Sequence, residues 1–177
     1  MPSRAYQLLG ALALAAMTAC TSRPGRGTDT GGRDTSFAAV QSRGREVMGV
    51  DQYTSTHVFE DLPDGGRIVL DRDTSDAAGV ATIRRHMRDV AADFRAGDFT
   101  KPFQVHARAV PGTDVMAARR DAITYDVVDR PRGAEVRIHS TDSAAVAAIH
   151  AFLAFQRSDH HAAGHEHGRD MPPMPPR

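Results

Sequence analysis

The sequence predicts an α+β fold built from a duplicated ββα unit: a four-stranded antiparallel sheet with two main helices on one face. Three observations carry this. Each half of the chain holds two short alternating stretches split by a Gly-containing turn. In each half a capped segment follows, with apolar side chains at helical spacing. The two halves also align without a gap at an offset of 66 positions, matching Ser75-Asp76 to Thr141-Asp142 and Ile83 to Ile149.

In the first copy, His57-Val58-Phe59-Glu60 alternates as a half-buried strand does, and Pro63-Asp64-Gly65-Gly66 turns the chain. Ile68 and Leu70 mark the returning strand. Ser75 and Asp76 offer side-chain oxygens to cap a helix carrying Val80, Ile83, Met87, Val90 and Phe94 on one stripe, and Gly97-Asp98 ends it. The second copy repeats this order: Ile123 to Val127, the turn Arg130-Pro131-Arg132-Gly133, Val136 and Ile138, then a helix from Thr141-Asp142 with Val146, Ile149 and Leu153. The offset pairs strand 57–61 with 123–127 and helix 75–95 with 141–158. Between the copies, Pro111-Gly112-Thr113-Asp114 leads into a short third helix, Val115–Asp121. Antiparallel hairpins leave one sheet face for the helices and one bare.

The 177 residues divide into an export signal over 1–19, a flexible tether over 20–43, a single domain over 44–160 and a disordered tail over 161–177. The tether is rich in Gly, Thr, Ser and charge, with Phe37 and Val40 positioned to begin docking onto the domain. Formal charge is zero, from 22 basic and 22 acidic residues, so no basic surplus favours nucleic acid as a partner. One cysteine excludes internal disulfides and CxxC chemistry. The nucleophile elbow, the P-loop and HExxH are all absent from the sequence.

At the N-terminus, Arg4 precedes the apolar run LLGALALAAM (Leu8–Met17), too short to span a bilayer as a helix. Thr18, Ala19 and Cys20 follow. A small residue directly before cysteine, behind such a run, resembles the lipobox of bacterial lipoproteins. The resemblance implies cleavage before Cys20 and acylation of its thiol and amine. It puts the chain outside the cytoplasm, in the cell envelope, with the membrane as a partner through the lipid anchor.

Nine histidines are the compositional oddity. Parity puts His57 on the helix-covered face of the sheet and His139 on the bare face. His160 takes the slot of Phe94 in the repeat, and His86 and His150 border the helical stripes. Phe103-Gln104-Val105-His106 reads as alternating, with His106 opposite Val105. Two metal-binding sets follow, with Cu or Zn as the ion. One is the tail: His160, His161, His165 and His167 with the thioethers of Met171 and Met174. The other is a core set of His57, His106 and His150, with His160 or Met48 as further ligands. No catalytic residues are assigned. An ordinary set of half-buried imidazoles and a solubilising tail remain the bland alternatives.

Several short stretches, taken in order, resemble a family of small exported bacterial proteins to which no activity is attached. They are Met48-Gly49-x-Asp51-Gln52, Thr56-His57, Ile83-Arg84-x-His86, Ala148-Ile149-His150-x-Phe152-Leu153-x-Phe155-Gln156 and Asp159-His160. The resemblance covers about residues 44–160 and leaves the His/Met tail outside it. Three functions stay open: a non-catalytic, membrane-tethered metal-binding protein; a ligand- or protein-interaction module of the envelope using the bare sheet face; and a small His-based enzyme.

Overall fold

The computed structural model describes the backbone of residues 30–50 and 52–162, with side chains from Phe37 onward except that of Gln52. The signal over 1–19, Cys20 and the tail residues His165, His167, Met171 and Met174 lie outside the described residues.

The four strands are β1 (Ser55–Leu62), β2 (Gly65–Arg72), β3 (Ile123–Arg130) and β4 (Gly133–Ser140). They form one antiparallel sheet in the order β1-β2-β4-β3. Each hairpin closes through two residues, Pro63-Asp64 between Leu62 and Gly65, and Pro131-Arg132 between Arg130 and Gly133. The glycine that opens each returning strand is required for space. A Cβ on Gly65 would meet the carbonyl oxygen of Ile138 at 2.2 Å, and one on Gly133 would meet that of Leu70 at 1.9 Å. Gly65 also has φ 145°, open to glycine and strained for other residues.

Helices α2 (Ala77–Ala96) and α5 (Ser143–Asp159) are the two main helices. Asp76 and Asp142 are their N-caps, each carboxylate accepting from a backbone amide of the first turn. Both helices lie on the same face, and each leans on the strands of the other copy: α2 on β3 and β4, α5 on β1 and β2. Ile83, Val136, Ile138, Ile149, Phe152 and Leu153 are buried between them. Each such side chain contributes about 1.5–3 kcal/mol of transfer free energy.

The repeat differs from the ungapped alignment in one respect. The helices repeat at 66 positions, as Asp76 and Asp142 show, whereas the strands repeat at 68, as Gly65 and Gly133 show. The first copy spans residues 73–76 between strand and helix and the second only 141–142, which accounts for the two-residue difference. Tyr125 is therefore the counterpart of His57, not of Phe59.

Three other segments depart from the sequence reading. The chain from Thr30, read as tether up to residue 43, is helical: α1 runs Thr30–Met48, with Val40 and Gln41 buried. Residues 100–106 are not an alternating strand but helix α3 (Thr100–His106). Asp98 accepts from the Thr100 amide at 2.8 Å, and Pro102 lies in the first turn, where its missing N–H is harmless. Val105 and His106, adjacent in sequence, are both buried. Helix α4 runs Thr113–Ala118, and a 3₁₀ turn over Arg120–Ala122 finishes the segment. Helix α1 packs on α3 and so closes one end of the core.

The bare face is polar. Arg67 bridges Glu60 and Glu135, Arg130 bridges Glu135 and Asp71, and His139 faces Asp126 at 3.2 Å.

Candidate functional site

The two copies fill one equivalent place differently. Where α2 meets β3, Phe94 packs against Tyr125 with ring centroids 6.1 Å apart. Where α5 meets β1, the counterparts are His160 and His57, nearly parallel at 9° with centroids 5.7 Å apart. An aromatic pair in one half is thus an imidazole pair in the other. Arg157 fixes this junction. Its guanidinium donates to both carboxylate oxygens of Asp61 at 2.9 Å and to the Phe59 carbonyl at 3.0 Å, tying the last turn of α5 to β1.

The imidazole pair lines a cavity of about 70 Å³. Met48, His86, Met87 and His106 also line it, amid apolar side chains from the sheet and α2. The space suits an ion or a couple of waters and is far below the ~300 Å³ of an organic ligand pocket. His57 and His160 also line a surface pocket of about 270 Å³ with Phe37, Thr56 and His161. The pair thus lines both spaces.

Three imidazoles are held neutral. Burial pushes His57 down to about 4, aided by the nearby His86. Burial lowers His86 to about 4, and the Lys101 ammonium adds to this against the carboxylates of Asp89 and Asp93. His160 falls to about 3, again through burial and then through His106, His57 and His161. A neutral imidazole can ligate a metal or share a proton without first losing one. His57 is half-buried as a residue, yet its Nδ1 is shut off from solvent and has no hydrogen-bond partner among the described residues.

His106 is held differently, with both ring nitrogens engaged. Nδ1 meets Asp159 Oδ2 at 2.5 Å and Nε2 meets Gln156 Oε1 at 3.0 Å. Arg108 donates to the other Asp159 oxygen at 2.5 Å and lies 4.7 Å over the Phe155 ring. The imidazole ring of His106 stands edge-on to His160 at 5.0 Å. This makes His106 a support for His160, with neither nitrogen available to a ligand in this arrangement.

The structure brings His57, His106 and His160 to one cavity and leaves out His150, the third member of the core set. His150 is on α5, where its Nε2 donates to the Leu62 carbonyl at 2.9 Å. His161 stacks on Phe37 of α1 at 4.5 Å, so the first two histidines assigned to the tail belong to the folded domain. His86 and Met87, which the sequence reading placed only on or beside a helical stripe, join the cavity. Among the described residues, no group of three or more His, Cys, Asp or Glu side chains is arranged to hold a metal ion. Comparison with protein-family models, curated proteins and solved structures gives no match for the chain.

Proposed function

We propose that this chain is a lipid-anchored protein of the cell envelope, non-catalytic, that binds a transition metal, copper or zinc, through histidine side chains. The observation that carries the reading is the cavity wall: His57, His86 and His160, with the thioethers of Met48 and Met87, around one small space. Imidazole and thioether are the donors that copper and zinc sites use. Burial keeps three of the imidazoles free of protons at neutral pH, and the cavity has room for an ion but not for an organic substrate. The membrane tether rests on Cys20 behind its apolar run.

The enzyme reading loses its proposed triad, since His150 is turned to the Leu62 carbonyl and both nitrogens of His106 are occupied. The interaction-module reading needs an apolar patch on the bare sheet face, where Val128 is exposed but charges cross-linked by ion pairs dominate. The test is equilibrium dialysis of the full chain, purified without a His tag, against micromolar Zn(II), Cu(II) and, without oxygen, Cu(I). Retention of an ion is expected, and retention of none would contradict the reading.

A further inference from the structure

We propose that a pocket between helices α3 and α4 docks the chain's own Pro-rich segment, residues 171–177, as a polyproline helix with Arg177 against an acidic rim. The proposal is independent of the metal-binding reading.

The pocket has a volume of about 360 Å³, and Phe99, Phe103, Ala109 and Val110 line it together with Asp98 and Asp114. That volume falls within the roughly 300–1,000 Å³ of ligand pockets. The Phe103 amide donates to the Phe99 carbonyl at 3.2 Å, one helical turn, which sets the two rings on one side of α3. Phe99 is anchored from behind by stacking on Phe94 at 4.5 Å. Phe103 is 55% exposed, and Val115, next to Asp114, is 40% exposed. They are two of the four large hydrophobic side chains exposed among the described residues.

The rim is acidic, and no basic side chain lines the pocket. The Thr100 hydroxyl and amide donate to Asp98 and hold its carboxyl below the ordinary range, so it is charged. Lys101 is taken up by Asp93 at 2.6 Å. Arg120, whose stem passes Gly97, pairs with Asp121 at 3.9 Å.

Composition and reach select the occupant. Residues 171–177 read MPPMPPR, with four prolines, two methionines, one arginine and no acid. By contrast, residues 21–29 hold one proline and no aliphatic or aromatic side chain. A polyproline helix has three residues per turn, so this triplet pattern puts Met171, Met174 and Arg177 on one edge and the prolines on the other two. Proline ridges of this kind dock in aromatic-lined grooves, at little entropic cost because the helix is preformed. Arg177, on the neighbouring edge, supplies the charge that the rim lacks. The described chain stops at Ala162, three residues beyond Asp159. Arg108 donates to Asp159 at 2.5 Å, and its neighbour Ala109 lines the pocket. The residues between, 163–170, span up to about 26–29 Å when extended, ample for that step.

The test is NMR of the isotope-labelled full chain with a metal chelator present. It is compared with a chain carrying Pro172→Ser, Pro173→Ser, Pro175→Ser and Pro176→Ser, and with Arg177→Glu. The amide signals of Thr100, Phe103, Val110 and Asp114 are expected to move in the first variant and part of the way in the second, while sheet signals stay in place. Pocket signals that coincide in all three chains would overturn the proposal and leave the metal-binding reading standing. Differences that grow with protein concentration, with a dimer's mass in sedimentation, would also overturn it, because the segment would then belong to a second copy. Should the proline variant lose its sheet signals, the methyl signals of Met171 and Met174 decide the matter. They are expected to differ from those of the free peptide MPPMPPR in the unaltered chain and to approach them in Phe103→Ser. Methyl signals that already match the free peptide in the unaltered chain would overturn the docking.

Discussion

His160 stands in the repeat where Phe94 stands, and it lays its ring 5.7 Å from His57, the counterpart of Tyr125. Burial holds both imidazoles neutral, and keeping them so costs stability once the solution is acid enough to protonate an exposed imidazole. That cost is measurable through pH.

His57, His86 and His160 have folded pKa values of about 4, about 4 and about 3, against 6.5 when unperturbed. The unfolded chain therefore binds more protons between these limits, and stability falls as pH falls through that window. It is fully present above about 6.5. Each group contributes up to about 1.4 kcal/mol per pH unit. Urea midpoints of metal-free protein should drop between pH 6.5 and 4, and His57→Tyr with His160→Phe should flatten the slope. Midpoints that do not change over this range would contradict the burial of these rings.

Ile83 and Ile149 are equivalent in the repeat and 1% and 0% exposed. Replacing either with Ala should cost about 2–5 kcal/mol, and the two costs should be similar. Denaturant unfolding of the single variants measures this. A cost below about 1 kcal/mol at one site would break the equivalence of the halves.

Gly65→Ala and Gly133→Ala should each prevent or severely weaken folding, because the new methyl meets a carbonyl oxygen of the adjacent strand. Gly49 is the control. It has φ 66° with no atom of the described residues within 4 Å of a built Cβ, so its Ala variant should cost only about 1–2 kcal/mol of backbone strain. Thermal unfolding of the three variants orders them, and equal losses would contradict the close approach of the central strands.

Cys20→Ser should move the protein from the membrane fraction of a bacterial host to the soluble fraction, or stall its processing. Mass spectrometry should find an acylated Cys20 at the mature N-terminus of the unaltered chain. A different N-terminus without an acyl group would contradict the tether.

Much of the fold was legible because two periods changed at the right places: alternation to Gly65 and Gly133, then helical spacing after Asp76 and Asp142. The offset missed the strands by two residues, because the strand-to-helix loops differ in length. An even slip preserves facing, so His57 was still placed inward. Helix α1 was illegible because residues 30–48 contain few apolar side chains and no periodic stripe. His150 was misjudged because its helix buries alanines. Ala145, Ala148 and Phe152 set the inner face with Ile149 and Leu153, turning His150 aside. The cavity itself had a trace in the sequence: Ile83, His86, Met87 and Val90 form one unbroken stripe, with His86 inside it and not beside it. The meeting of His57 with His160 depends on the second helix crossing onto the first hairpin, which a period along the chain does not encode.

Metal analysis of the full chain, purified without a His tag and dialysed against micromolar Zn(II), Cu(II) and, without oxygen, Cu(I), tests the central claim most directly. Retention of an ion is predicted, with imidazole nitrogen at about 2 Å in its X-ray absorption spectrum. Retention of no ion, or of an ion without imidazole nitrogen around it, would contradict it.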